Sequence, residues 1–315
     1  MTTNFVESFS QYVNRKVLLT GATGFIGAPL CRRLIEHGAE VYGISRSAQE
    51  PAASGMRWFQ AGPADPCKIR QILSETKPDI IFHLAGMATA ATELDLVVPT
   101  FDSLLASTVY LLTSAAELGC GRIVIPGSLT EPKEDDVDAT PGSPYAAAKW
   151  AGSAYSRMFF KLYGTPVVIA RPFMTYGPGQ PRSKLVPYVI LAALRREAPK
   201  ISSGQWQADW IYIDDVVDGF MAAGCTPGIC GKTIDLGSGA LTSVRAVVQK
   251  IIDLTDQEVH PIFGAQRDRR FEEVRVADTE FAYATLGWKS TISLTEGLAR
   301  TVDWLREHVN QNRTS

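Results

Sequence analysis

The chain has 315 residues, 45% of them apolar and 20% charged, with a formal net charge of -2. That length exceeds one average domain and predicts one large α/β unit or two interlocked lobes. The even charge balance offers no lysine/arginine block to neutralise phosphates, which excludes nucleic acid as a partner, and no apolar run of bilayer length is expected to span a membrane.

Residues 1–14 are polar and mixed, without the basic and apolar halves of a signal peptide, and predict a short N-terminal extension. Residues 16–20 form a short apolar run of strand formers, followed by a glycine-rich turn at 21–27. Helical spacing over 28–37 stops at Gly38, a good C′ residue. Further strands are predicted at 41–45, 79–85, 122–125 and 167–170. Helices are predicted to end near Lys77-Pro78, to run over 104–118, and to run from Ser143-Pro144 to about Tyr163. Continuous apolar strands alternating with helices describe an α/β fold: a doubly wound parallel sheet of Rossmann type, covered on both faces. From Arg171 proline and glycine rise, and a smaller, interleaved C-terminal lobe begins. Residues 210–215 resemble one more strand returning to the sheet. The division expected is 15–170 for a dinucleotide-binding domain, with a return strand near 205–225, and 171–204 with 226–315 for a substrate lobe.

Five cysteines (Cys31, Cys67, Cys120, Cys225, Cys230) are scattered and odd in number. They point to a reducing cytoplasm rather than a disulfide framework. No paired His/Cys set accompanies Cys225 and Cys230, so no metal is expected.

The turn Gly21-Ala22-Thr23-Gly24-Phe25-Ile26-Gly27 lies between a strand and a helix and fits a dinucleotide βαβ unit. Gly21 permits the tight turn, Gly24 lets backbone approach a pyrophosphate, and Gly27 allows close helix–sheet packing. The helix N-terminus adds free N–H groups and a positive dipole end. NAD-users place an acid at the end of the second strand to hold the ribose 2′-hydroxyl. Here the strand ends Gly43-Ile44-Ser45-Arg46-Ser47, and a hydroxyl followed by a guanidinium suits a 2′-phosphate. NADP(H) is therefore preferred, with NAD(H) as the alternative.

Ser143-Pro144-Tyr145 opens a helix with a capping serine and a proline at its first position. Tyr145 and Lys149 are four apart and share a helix face. A phenol of free pKa about 10 is a poor base at neutral pH, but an ammonium and a helix N-terminus both stabilise the phenolate. Such a tyrosine can pass a proton to or from a substrate oxygen while a hydride moves at the adjacent carbon. Ser128, just past the preceding strand, can hydrogen-bond the same oxygen.

With these residues the chain resembles the extended short-chain dehydrogenase/reductase family, in its nucleotide-sugar epimerase/dehydratase/ketoreductase branch. The likeness runs from Val17 to about Arg306. It rests on the glycine turn, His83-Leu84-Ala85-Gly86, Ser128, Tyr145-x-x-x-Lys149, Arg171-Pro172-Phe173 with Tyr176-Gly177-Pro178-Gly179, the segment Asp209-Trp210-Ile211-Tyr212-Ile213-Asp214-Asp215, and Leu286-Gly287-Trp288. The resemblance implies that Leu84-Ala85 and Pro172-Phe173 flank the nicotinamide. It also implies that the second lobe holds a sugar nucleotide by its diphosphate, with Arg267 as the arginine aimed at it. Arg267 stands beside Arg269 and Arg270, so a solvated charge run is the other reading. Family members pair into a homodimer through two long helices, for which 104–118 and 145–163 are the candidates here; packing of their apolar faces within the monomer is the other reading.

Several positions depart from the family pattern. Met174 replaces an asparagine, Ala208 an arginine, and Lys184 an asparagine whose new charge can partly replace the lost arginine. The acid that meets adenine corresponds to Gly62, unless Asp65 takes its part, and the asparagine typical of the helix near Leu104 is missing. Family 4,6-dehydratases carry an acidic pair after the catalytic Ser/Thr. Here Leu129 and Thr130 follow Ser128, which argues against elimination, while Glu131, Glu134, Asp135, Asp136 and Asp138 read as a solvated loop. The resulting expectation is NADPH-dependent reduction of a keto group, at C4 of a nucleotide-linked deoxy-sugar. In it Tyr145 is the proton donor, Ser128 orients the carbonyl, and Lys149 holds the nicotinamide ribose while lowering the tyrosine pKa. A nucleotide-sugar 4-epimerase is the alternative, and a non-catalytic dinucleotide sensor the alternative of another class.

Overall fold

Strands that are apolar on both faces must be covered on both faces, and helices between successive strands supply that cover. A computed structural model describes residues 5–49, 55–62, 64–89, 91–132, 139–268 and 273–311. The first half contains β1 (Lys16–Thr20), α1 (Gly27–Glu36), β2 (Glu40–Ser45), β3 (Arg57–Gln60), α2 (Pro66–Thr76) and β4 (Ile80–His83). A helical run follows: α3 (Val97–Thr100), a π-helical stretch Phe101–Ala106, and α4 (Ser107–Leu118). After it come β5 (Arg122–Pro126), α5 (Pro144–Tyr163) and β6 (Val167–Pro172). The second half holds β7 (Met174–Tyr176), α6 (Leu185–Leu194), β8 (Lys200–Ile201), β9 (Gln207–Tyr212), α7 (Ile213–Cys225), β10 (Thr233–Leu236), β11 (Leu241–Ser243), α8 (Val244–Thr255), β12 (Ile262–Phe263), α9 (Thr279–Leu286) and α10 (Leu294–Gln311).

The residues group into two units, one of Met1–Pro172, Val217–Asp235 and Glu280–Trp288, the other of Phe173–Val216, Leu236–Thr279 and Lys289–Ser315. The first is built on a seven-stranded sheet in the order β10-β6-β5-β4-β1-β2-β3. Its strands are parallel, with Leu18 opposite Tyr42 on one side and Ile81 on the other. Alternation sends successive side chains to opposite faces. Leu18, Ile81, Ile123 and Val167 therefore pack with Ile69, Ile72 and Leu73 of α2 and Leu111 and Leu112 of α4. Each fully buried side chain of this size contributes roughly 1.5–3 kcal/mol. Local chemistry sets the helix ends. Asp65 accepts the Lys68 amide at 2.9 Å and caps α2, while Ser143 accepts the Ala146 amide at 3.2 Å and caps α5. At the C-terminal end of α7, the Arg122 guanidinium donates to the carbonyls of Ala223 and Thr226 at 2.8 and 2.9 Å, which closes carbonyls that a helix end leaves unpaired.

Three sequence expectations change. The seventh strand of the main sheet is β10, not the segment 210–215; β9 instead pairs with β7 and β11 in a separate three-stranded sheet of the second unit. Strand pairing is set by contacts remote in sequence, so a strand's pattern does not name its sheet. The stretch Leu94–Leu118 is long and apolar enough to cross a membrane, with mean hydropathy 1.4, contrary to the expectation that no segment is. In this fold its Leu111, Leu112 and Ala115 lie in the core of the first unit. The segment expected as an extension forms a 3-10 helix, Phe5–Tyr12, whose Phe9 and Tyr12 are buried.

The second unit contains the three-stranded sheet, the β8–β12 pair and helices α6, α8 and α10 packed on one another. Two buried carboxylates tie its loops. Asp209 accepts from the amides of Ser238, Gly239 and Ala277, and Asp215 from those of Thr291 and Ile292.

Tyr12 is fully buried at 0% exposure and donates its hydroxyl to the Met221 carbonyl at 2.7 Å. Tyr12→Phe removes that buried bond, and the expected cost is about 1 kcal/mol. Urea denaturation should show a lower midpoint at unchanged slope; an unmoved midpoint would mean the N-terminal segment adds nothing to the unit.

Candidate active site

The turn after β1 faces the turn after β4. β1 lies between β2 and β4 in the sheet, which is where the chain reverses direction across it and where a crevice opens at the strand ends. Gly21 sits at φ +70°, and a Cβ there would lie 2.7 Å from the Ala85 nitrogen and the Leu84 carbonyl carbon. A Cβ on Gly27 would run into the Gly21 carbonyl oxygen. Both positions therefore require glycine, one for a left-handed backbone and one for close approach. The Gly24 amide closes the turn by donating to Gly21 at 2.9 Å. α1 begins at Gly27 with Ile26 as its cap and no side chain bonded to its first turn. Its positive end is thus left open to an anion, a cradle that fits a pyrophosphate. Around it Thr23 is exposed, and Phe25 and Ile26 are half-buried.

At the tip of β2, Ser45 is half-buried and accepts from Gln49 Nε2 at 3.3 Å. Arg46 is exposed, and its guanidinium has no bonded partner among the described residues. Asp65, the acid considered for adenine, is engaged as the cap of α2.

The end of β5 and the start of α5 carry the second cluster. Ser143 and Pro144 start the helix so that Tyr145 falls in its first turn and Lys149 one turn later, with the ammonium 6.0 Å from the tyrosine ring centroid. Lys149 Nζ donates to the Pro126 carbonyl at 2.9 Å, which pins it to the end of β5. Ser128 stands within hydrogen-bonding reach of the Tyr145 phenol and pairs its hydroxyl with that of Thr130 at 2.9 Å. Burial pulls Lys149 down to about 8, against the opposing charge of Glu131. Tyr145 is raised above its ordinary value by burial, against the Ser128 hydrogen bond and with a further push from Glu131. The expected net lowering of the Tyr145 pKa is not found, burial of the phenol being the largest influence on it.

Beneath this cluster a buried polar chain ends at Ala85. Ser107 Oγ donates to the Ser103 carbonyl at 2.8 Å, so it meets His83 Nε2 at 3.3 Å as an acceptor. Nε2 therefore carries the imidazole proton, and Nδ1 accepts from Thr20 Oγ1 at 2.8 Å. Thr20 Oγ1 in turn accepts the Ala85 amide at 3.1 Å. Burial, aided by Lys149, lowers His83 to about 3, so the ring stays neutral at physiological pH and holds one tautomer. His83, Ala85, Pro126, Ala148 and Lys149 line one small cleft.

Glu131 is not solvated. It is 2% exposed, and its Oε1 accepts the Ser128 amide at 2.6 Å. The pattern Ser128-x-x-Glu131 is the sequence signal for such a reciprocal bond, obscured by the acids that follow it. Of those acids, Glu134, Asp135, Asp136 and Asp138 lie outside the described residues. Arg171, next to Gly127 in space, donates from Nε to Asp235 at 2.6 Å in a nearly buried pair.

Ser128, Leu84, Ala85 and Pro172 belong to the first unit, and Phe173, Met174, Lys184 and Arg267 to the second. Phe173 is buried at 4%, while Met174 is half-buried in β7 opposite Trp210 of β9. Lys184 is half-buried at the start of α6 and makes no capping bond there. Arg267 is exposed, whereas its neighbour Asp268 accepts from the Ser203 amide and hydroxyl; Arg269 and Arg270 lie outside the described residues. Ala208 is buried at 2% opposite Thr242, which leaves no charge at that point of β9.

The family described as the NAD dependent epimerase/dehydratase family matches residues 17–236. A UDP-glucose 4-epimerase of Mycolicibacterium smegmatis is 31% identical over 92% of this chain and 98% of its own length. A dTDP-D-glucose 4,6-dehydratase of Mus musculus is 26% identical over 93% of this chain and 89% of its own. The solved structure of MoeE5 in complex with UDP-glucuronic acid and NAD is 26% identical, with a TM-score of 0.84 over 93% of this chain and 99% of that one. This chain, with its seven-stranded sheet and flanking helices, shares its fold with that solved structure.

Gly27→Ala tests the cradle. The added methyl meets the Gly21 carbonyl oxygen, which must shift the turn. Dinucleotide affinity measured by calorimetry should fall by about tenfold or more, as overpacking at a tight contact costs roughly 1–3 kcal/mol. Unchanged affinity would place the phosphate elsewhere.

Proposed function

Because this chain belongs to the NAD-dependent epimerase/dehydratase family, we propose that it transfers a hydride between NADP(H) and a nucleotide-linked sugar, with reduction of a keto group as the net outcome. The observation that carries this reading is the convergence of Ser128, Tyr145 and Lys149 at the ends of β5 and α5, in the same unit as the glycine turn. The dinucleotide, when bound, supplies the hydride. Ser128 orients the substrate oxygen, and the Tyr145 phenol gives it a proton. Lys149, an ammonium below pH about 8, stabilises the phenolate left behind. In the second unit Met174, Lys184 and Arg267 are assigned to the sugar nucleotide.

The choice of NADP(H) and of net reduction is supported by Ser45 and the exposed Arg46 at the tip of β2. A guanidinium there attracts a 2′-phosphate, whereas the NAD-type carboxylate would repel it. A second reading, a nucleotide-sugar 4-epimerase using NAD, is favoured by the likeness to the UDP-glucose 4-epimerase. The mass of the dinucleotide that copurifies distinguishes them: stoichiometric NAD⁺ supports the epimerase, and tighter uptake of NADPH than NADH supports the reductase.

A homodimer is part of the proposal. Phe101, Tyr155 and Leu162 expose 50%, 41% and 68% of their surface on the adjoining helices of the first unit, an apolar face suited to a second copy. The five free cysteines suit a cytoplasmic setting.

Tyr145→Phe should cut turnover on a competent keto-sugar by about 10²–10⁴-fold while dinucleotide binding persists; undiminished turnover would contradict the role given to the phenol. Arg46→Asp should weaken NADPH binding by about tenfold or more relative to NADH, because a charge-assisted bond becomes a repulsion. Equal loss for both dinucleotides would remove Arg46 from the 2′-phosphate.

A further inference from the structure

Glu131 is a buried ionisable group that the hydride transfer itself leaves unused. Its Oε1 accepts the Ser128 amide at 2.6 Å, and its own amide donates to the Ser128 carbonyl at 3.1 Å. Gly127 makes room for the carboxylate, since a Cβ there would lie 3.1 Å from Glu131 Oε1 and 3.2 Å from Arg171 Cβ. Burial pushes the Glu131 carboxyl above its ordinary value, and Arg171, the Ser128 amide and Lys149 oppose that push; a carboxylate this deeply buried requires such hydrogen bonds and opposite charge. Among the described residues, several elements contribute groups. Arg171 on β6 faces it and is itself bonded to Asp235 on β10. Lys149, on α5, bonds the Pro126 carbonyl at 2.9 Å, and Glu131 bonds the Ser128 amide at 2.6 Å, so the two side chains hold the two sides of Gly127. Tyr145 and Ser153 on α5 also act on this group, and His83 on β4 acts on Lys149.

We infer that Glu131 is a positioning residue for the reacting pair, fixing Ser128 through its backbone and holding Lys149 as the ammonium by standing opposite it inside the first unit. This rests on the reading of Tyr145 and Lys149 as the reacting pair. The physical reason is competition between burial and charge. Burial drives a lysine towards the neutral amine, and Lys149 is drawn down to about 8 even with the Glu131 charge working against that. Without Glu131 the amine loses its proton within the neutral range, and the phenolate of Tyr145 loses its counter-charge.

Glu131→Gln keeps an acceptor for the Ser128 amide and removes the charge. The direct readout is the titration midpoint of Lys149, followed by NMR on lysine-labelled protein and assigned with Lys149→Arg, because it requires no turnover. The midpoint should fall by about one pH unit or more, the usual scale for loss of a close opposite charge. The alkaline limb of kcat/KM should move down with it, since the ammonium is then lost at lower pH. Glu131→Asp, which keeps the charge one methylene further back, should titrate between parent and Glu131→Gln and recover part of the rate. A Lys149 midpoint identical in parent and Glu131→Gln would overturn the inference. Should Glu131→Gln fail to melt cooperatively, Glu131→Asp carries the test, and a midpoint unmoved from the parent overturns it. A shifted midpoint in a protein that turns over no nucleotide sugar would count against the reductase reading while supporting the charge role of Glu131.

Discussion

The close approach of two backbones at the ends of β1 and β4 is the constraint on which the rest depends. Gly21 leaves no room for a side chain against the Leu84-Ala85 peptide, and Gly27 none against Gly21. That fit brings the open N-terminus of α1 to the crevice where the sheet order reverses. It also brings Ala85, tied through Thr20 and neutral His83 to Ser107, to the cleft that Lys149 lines. The neighbouring parallel strand, β5, then delivers Ser128 and the Pro126 carbonyl that pins Lys149. Cofactor cradle and proton-transfer group are thus two consequences of one sheet's strand order.

Electrostatics completes the arrangement. Three charged groups, Glu131, Lys149 and Arg171, are packed with Asp235 inside one unit, where an unpaired charge is costly. Burial, opposed by the Glu131 charge, leaves Lys149 at about 8, so its charge responds to small changes in its surroundings close to neutral pH. Tyr145, raised by burial, is kept as the neutral phenol in the free protein, the form suited to giving a proton.

Much of this was legible in the sequence where the signal is local. The glycine turn, the Ser143-Pro144 start of α5 and the Tyr145–Lys149 spacing each encode backbone geometry within one or two turns of chain, and each appears where the residues predicted it. Long-range choices were not legible. The β9 strand reads as a strand from its own residues, but its partners β7 and β11 are chosen by contacts far along the chain. Glu131 was hidden for the opposite reason: it begins an acid-rich run, and composition speaks for solvent while the local Ser-x-x-Glu bond and Arg171 hold it inside. Tyr12 resembles part of a polar extension because only the fold brings Met221 to its hydroxyl.

The central claim is that hydride passes between a nicotinamide held at the glycine turn and a sugar carbon served by Tyr145. It is tested most directly with NADPH deuterated at the nicotinamide C4 and a nucleotide-linked 4-keto-hexose. The account predicts one deuterium at the former carbonyl carbon for each NADPH oxidised. Sugar product formed without label, with NADPH left unconsumed, would contradict it.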